Sequence, residues 1–221
     1  MGQGILILGE SGTGKSTSVR TLDPSNTGIF NVASKRLPFR EKFPYTLDEA
    51  GYDQIILEIS AGNKPVYVID DSQYLMAFDM FAHAKEKGFE KFTDIAMNFY
   101  AVLRAAQKAP ENVIVYFLHH SELDPENRTK AKTIGKMLDD KLNVEGMFPI
   151  VLQTTLKDGV YSFITNGLEG SPAKSPMGMF EDKLIPNDLR LVDTTVREYW
   201  GMPELQTKEP KPNKTIVKEK K

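Results

Sequence analysis

Gly9-Glu10-Ser11-Gly12-Thr13-Gly14-Lys15-Ser16 has the spacing G-x-x-x-x-G-K-[ST] and follows directly on an apolar run, Ile5-Leu6-Ile7-Leu8. A strand that delivers such a loop is the setting of a phosphate-binding P-loop. Glycines leave room for successive backbone N–H groups to wrap a β-phosphate. Lys15 then places a cation on the β/γ oxygens, and the Ser16 hydroxyl offers a hard ligand to Mg²⁺. The residues expected to hold a nucleoside triphosphate are Gly9, Glu10, Ser11, Gly12, Thr13, Gly14, Lys15, Ser16 and Thr17.

The segments on either side decide the fold class. Residues 4–8 read as the first strand and 15–22 as the helix after the loop, stopped at Asp23-Pro24 because proline restricts the residue before it. Residues 27–33 read as a second strand. Lys35-Arg36-Leu37-Pro38-Phe39-Arg40 and Phe43-Pro44-Tyr45 then form a proline-punctuated loop, either a solvated connector or a surface touching a base or nucleic acid. A helix is expected over 48–60, a buried strand over 65–69, a helix over 94–109 carrying Ile95, Phe99, Val102, Leu103 and Ala106, and a buried strand over 113–118. This alternation predicts an α/β fold with a mostly parallel central sheet flanked by helices. Residues 150–156 and 160–165, joined by Lys157-Asp158-Gly159, predict a C-terminal antiparallel β-hairpin extension. Beyond Trp200 the chain turns polar, with Pro203, Pro210 and Pro212, so the expected organisation is one domain over 1–205 and a flexible basic tail over 206–221.

Composition narrows the function classes. With 221 residues the chain is long enough to bury an α/β core, and its formal charge of −2 carries no global basic signature. Any nucleic-acid contact must therefore be local, and the lysine-rich stretch from 208 onward is one place for it. The absence of cysteine excludes disulfides and thiolate metal sites. No apolar run approaches the roughly 18 residues of a membrane span, and no signal peptide is evident, so a cytoplasmic protein is expected.

Hydrolysis needs an acid beside the P-loop and a way to orient water. The strand over 65–69 ends in Asp70-Asp71, where Asp70 is the expected Mg²⁺ ligand beside Ser16. Asp71 is expected either to polarise the attacking water as a general base or to cap the following helix. The next strand ends in His119-His120-Ser121-Glu122, and His120 is the favoured γ-phosphate sensor or water-positioning group; ordinary loop histidines are the alternative. The polar segment after it carries Arg128, Lys130, Lys132 and Lys136. These are candidate contacts to a neighbouring subunit's nucleotide or to a nucleic-acid backbone, unless the segment is simply a solvated loop.

P-loop first, Asp-Asp strand end second, polar strand end third and β-hairpin last: in this order over roughly residues 4–180 the chain resembles the RecA-like P-loop ATPase core. It is most similar to short phage-encoded RecA-like proteins, called AAA-family ATPases, that accompany recombination and single-strand annealing genes. Leu37-Pro38-Phe39, Thr133-Ile134-Gly135-Lys136 and Lys174-Ser175-Pro176 look like recurring segments of that group. The resemblance implies ATP and Mg²⁺ as ligands, catalytic roles for Lys15, Asp71 and His120, and a Walker B role for Asp70. It also implies single-stranded DNA on the segment 122–136, self-association as a ring or filament, and phage recombination or replication proteins as partners. The strand at 113 is expected between the P-loop strand and the strand at 66. Where RecA-type recombinases end their second strand with a catalytic glutamate, this chain has Val32-Ala33-Ser34-Lys35, which implies slow or DNA-dependent turnover. Two other uses of the P-loop compete. One is a non-hydrolysing, ATP-gated assembly; the other is a small-molecule kinase, whose arginine-rich lid has only Arg128 to supply it.

Overall fold

The computed structural model describes residues 1–135, 138 and 141–205. Lys136 and the expected tail over 206–221 lie outside them. In chain order the elements are β1 (Gln3–Gly9), a short 3₁₀ helix (Ser16–Thr21), β2 (Thr27–Asn31), β3 (Tyr45–Asp48), α1 (Tyr52–Ala61), β4 (Val66–Asp70), α2 (Gln73–Ala82) and α3 (Glu90–Lys108). There follow β5 (Ile114–Leu123), β6 (Thr129–Ala131), β7 (Ile150–Lys157), β8 (Val160–Ile164), β9 (Leu184–Pro186) and α4 (Leu189–Trp200).

One mixed sheet runs β3-β2-β4-β5-β1-β7-β8-β9, with β6 attached to β5. The first six strands pair in parallel, and β7-β8-β9 close the far side antiparallel. As expected, β5 lies between the P-loop strand β1 and β4. This is the expected α/β fold, a mostly parallel central sheet flanked by helices with a C-terminal antiparallel hairpin.

Strand alternation divides the core into two layers. Leu6, Leu8, Phe30, Tyr67, Ile69, Val115 and Phe117 face α1, α2 and α3, whose contribution includes Ile55, Ile59, Met76, Phe99 and Val102. Ile5, Ile7, Ile29, Val66, Val68, Ile114, Tyr116 and Ile150 face the other way, against Val19 of the 3₁₀ helix and Leu189, Val192 and Val196 of α4. These strand residues are 0–1 % exposed, so each aliphatic one contributes on the order of 1.5–3 kcal/mol of burial. No described helix is long and apolar enough to cross a membrane.

Several elements depart from the sequence expectation. The helix after the P-loop is 3₁₀ over Ser16–Thr21 rather than a helix over 15–22. The stretch expected as loop and helix start holds a parallel strand, β3, and α1 begins only at Tyr52. Strand β5 runs past residue 118 to Leu123, so His119 and His120 lie within a strand instead of after one. The polar segment that follows is no open loop at its start. It turns back through β6, pairing Glu122 with Lys130 and Ser121 with Ala131.

Candidate functional site

Parallel register gathers the site at one edge of the sheet. Asn31 stands opposite Asp48 on one side and Asp70 on the other, and Gly9 at the end of β1 stands opposite His120 of β5. The carboxyl ends of these strands thereby open onto one crevice, the usual ligand side of an open α/β sheet. The cleft there has a volume of about 340 Å³; its walls include Gly12, Gly14, Lys15, Ser16, Asp70, Asp71 and His120.

The P-loop is clamped from the hairpin side. The Thr13 and Thr154 hydroxyls lie 2.6 Å apart, and the Thr154 hydroxyl donates to the Leu8 carbonyl at 3.1 Å. A Cβ at Gly9 would lie 1.8 Å from Thr154 Oγ1, so glycine is required for this close approach. Gly14 has φ of +103°, and a Cβ there would meet the Tyr161 ring at 2.7 Å. Asn187 donates through Nδ2 to the Gly14 carbonyl at 3.2 Å and accepts from Arg20 at 3.1 Å. The loop shape is thus set by β7, β8 and the chain before α4 as well as by its own glycines.

Inside the cleft the side chains of Lys15, Lys35, Asp70 and Asp71 already have hydrogen-bond partners. Lys15 folds back onto its own loop, donating to the carbonyls of Gly9 at 2.8 Å and Glu10 at 2.9 Å. Burial lowers its pKa to about 8, against the opposing pull of Asp71 and Asp70. Ser16 Oγ donates to Asp70 Oδ1 at 2.7 Å. Burial also raises Asp70 to about 6, a desolvation effect only partly offset by the Ser16 hydrogen bond.

Asp71 differs from its neighbour in almost every respect. Its backbone is left-handed, φ +60°, which turns its side chain out of strand alternation at the end of β4. Lys35 Nζ binds Asp71 Oδ2 at 2.7 Å, and His120 Nε2 binds Oδ1 at 3.1 Å. Burial alone would raise its pKa, but these two partners together bring it down to about 2. A carboxylate held this firmly ionised is a weak proton acceptor. It does not cap α2, whose N-terminal residue Ser72 directs its hydroxyl to Leu118 and His119.

The two histidines divide sharply. His120 faces the cleft, with its ring edge-on to Tyr74 at 5.6 Å. His119 points the other way, fully buried between Ser72 Oγ at 2.9 Å and the Lys132 carbonyl at 2.8 Å. That carbonyl fixes the neutral tautomer with a proton on Nε2, and burial lowers the pKa to about 4.

In comparisons with known proteins, no protein-family model matches the chain and no curated protein matches it. Among solved structures, it is similar to the ATPase DotB of Legionella pneumophila at 10 % identity and a TM-score of 0.36. The match covers 89 % of this chain and 52 % of that one, so this chain spans about half the length of the solved structure.

Of the sequence candidates, Ser11, Gly12, Gly14, Lys15, Ser16, Thr17, Asp70, Asp71 and His120 are brought together around the cleft, while Gly9, Glu10 and Thr13 shape the loop behind it. Arg128, Lys130 and Lys132 are elsewhere. Arg128 pairs with Asp124 and Glu126 at 2.8 Å each, and Lys130 with Glu122 at 3.1 Å; Lys132 is exposed. Four cleft residues carried no site assignment from sequence: Lys35, Arg36, Pro38 and Tyr161. The first three belong to the basic, proline-punctuated loop, which was itself a visible signal. Tyr161 lies in the hairpin, whose strands the resemblance places near the nucleotide, but nothing in the sequence singled out this residue.

Proposed function

We propose that the chain binds ATP with Mg²⁺ at the P-loop and hydrolyses it, as a RecA-like ATPase acting on single-stranded DNA in phage recombination, annealing or replication. The observation that carries this is the 2.7 Å hydrogen bond between Ser16 Oγ and Asp70 Oδ1, which unites the two halves of a nucleotide site from residues 54 apart in sequence. Those two oxygens fit Mg²⁺, a hard ion that takes few protein ligands and completes its shell with water and phosphate. Ser16 and Asp70 would hold the ion, which would supply positive charge to offset that of the triphosphate.

The protein groups have separable tasks. Lys15 exchanges its two loop carbonyls for phosphate oxygens, and the backbone N–H groups of residues 12–17 cradle the phosphates. Asp71 and His120, joined at 3.1 Å, orient the attacking water, with Asp71 accepting its proton once the Lys35 ammonium no longer holds the carboxylate. Arg128, Lys130, Lys132 and Lys136 are assigned to single-stranded DNA or to the nucleotide of a neighbouring copy in a ring or filament. A host-cell cytoplasmic location fits that role. The second reading, ATP-gated assembly without turnover, is favoured by one observation: both Asp71 oxygens are already held, one by the Lys35 ammonium and one by the His120 ring.

Single-turnover ATP hydrolysis, with and without single-stranded DNA, tests the proposal. Wild type is expected to turn over faster with DNA, and Lys15→Ala to stay at background. Equal background rates for both proteins would leave the assembly reading in its place.

A further inference from the structure

Lys35 lies just past the end of β2, Thr27–Asn31, and its surroundings separate a fixed backbone from an exposed side chain. Asn31, 6 % exposed, clamps that backbone from both sides: its Oδ1 accepts from the Lys35 N–H at 3.1 Å, and its Nδ2 donates to the Lys35 carbonyl at 2.9 Å. Asn31 is itself held by Asp48 Oδ1 at 2.6 Å, and Ser34 makes the tight turn between them with φ of +49°. The side chain, by contrast, is 57 % exposed and reaches across the cleft to Asp71 at 2.7 Å, with its ammonium 4.6 Å from the Tyr74 ring centroid.

Asp71 has a second partner, His120, on its other oxygen. Losing Lys35 therefore leaves the carboxylate in place. Lys35 in turn lines the same cleft as Lys15 and Ser16, so an anion seated beyond the P-loop lies on its side of the crevice. A terminal phosphate carries more charge and more acceptor oxygens than one carboxylate, and competes for the ammonium on both counts.

We propose that Lys35 reads the terminal phosphate of a nucleoside triphosphate: its ammonium leaves Asp71 for the γ-phosphate oxygens, so that the site distinguishes tri- from diphosphate and Asp71 is freed only in the triphosphate state. Asn31 is the positioning residue that keeps the lysine within reach of both. This rests on the P-loop binding nucleotide as proposed above.

The test is the ratio of affinities for a Mg²⁺-bound non-hydrolysable ATP analogue and for Mg·ADP, measured on the full chain for wild type, Lys35→Met, Lys35→Arg and Lys15→Ala. Wild type should prefer the triphosphate by about tenfold or more, as one charge-assisted hydrogen bond allows. Lys35→Met should lower that ratio about tenfold through weaker triphosphate binding, with ADP affinity little changed, and Lys35→Arg should restore part of it. An unaltered ratio in Lys35→Met, with circular dichroism matching wild type, would overturn the role of Lys35 while leaving the P-loop assignment intact. Failure of wild type to bind either nucleotide, or binding unimpaired in Lys15→Ala, would overturn the P-loop assignment and this inference with it.

Discussion

His119 and His120 are neighbours in sequence with opposite surroundings, and the difference has a measurable consequence. His119 is fully buried and neutral, with its pKa near 4 against about 6.5 for the unfolded chain. Because the folded state then binds fewer protons than the unfolded one, His119 contributes stability in full above pH 6.5, and loses it as pH falls toward 4. The loss amounts to about 3 kcal/mol. Urea denaturation at pH 7 and pH 4.5 should show a fall in stability for wild type that is markedly smaller in His119→Gln, and equal falls would contradict it. At this scale the sequence carried the site residues whose spacing is fixed by chemistry, Lys15, Ser16 and Asp70. It did not carry Lys35. Its pairing depends on left-handed turns at both Ser34 and Asp71, and although aspartate tolerates that conformation, nothing local shows that the two occur together.

Helix α4 anchors the sheet through a buried charge. The Arg197 guanidinium, 2 % exposed, binds Asp193 at 2.6 Å and donates to the carbonyls of Asn112, Pro65 and Pro203. Two of those carbonyls lie just before β5 and β4, so one side chain ties α4 to the entry points of the central strands. Arg197→Met should destabilise the fold by about 3–5 kcal/mol, because it leaves the buried Asp193 carboxylate with only the Tyr116 hydroxyl and no charged partner. The double variant Arg197→Met/Asp193→Leu should recover part of this, and the measure is the urea midpoint of each. A single-variant cost under about 1 kcal/mol would show that the charge is not held as described. The elements legible in advance were those with a strong period: β1, β4, β5, α3 and the β7–β8 hairpin. Helix α4 had its own signals, Leu189, Val192 and Val196 on one face, Asp188 as an N-cap accepting from Arg190 and Leu191, and Gly201 at the left-handed end. Strand β3 offered none, being four residues long and placed directly after Pro44.

Across the whole molecule, the candidate site lies where the carboxyl ends of β1, β2, β4 and β5 meet, and the chain at or just after each supplies one part of the cleft: the P-loop, Lys35, Asp70 with Asp71, and His120. The fold class was legible because strand–helix alternation after a P-loop leaves few topologies, and β5 does fall between β1 and β4. What sequence could not give was the pairing of charges across the cleft. That pairing arises only when strands distant in sequence are brought into register. The central claim is that this cleft holds a magnesium-bound nucleoside triphosphate, and it is tested most directly by calorimetric titration of ATP into wild type, Lys15→Ala and Asp70→Asn, with Mg²⁺ and with chelator. Saturable binding that requires Mg²⁺ is predicted for wild type, weakened by on the order of 100-fold in Lys15→Ala and made insensitive to Mg²⁺ in Asp70→Asn. Absence of binding by wild type, or equal affinity in all three proteins, would contradict it.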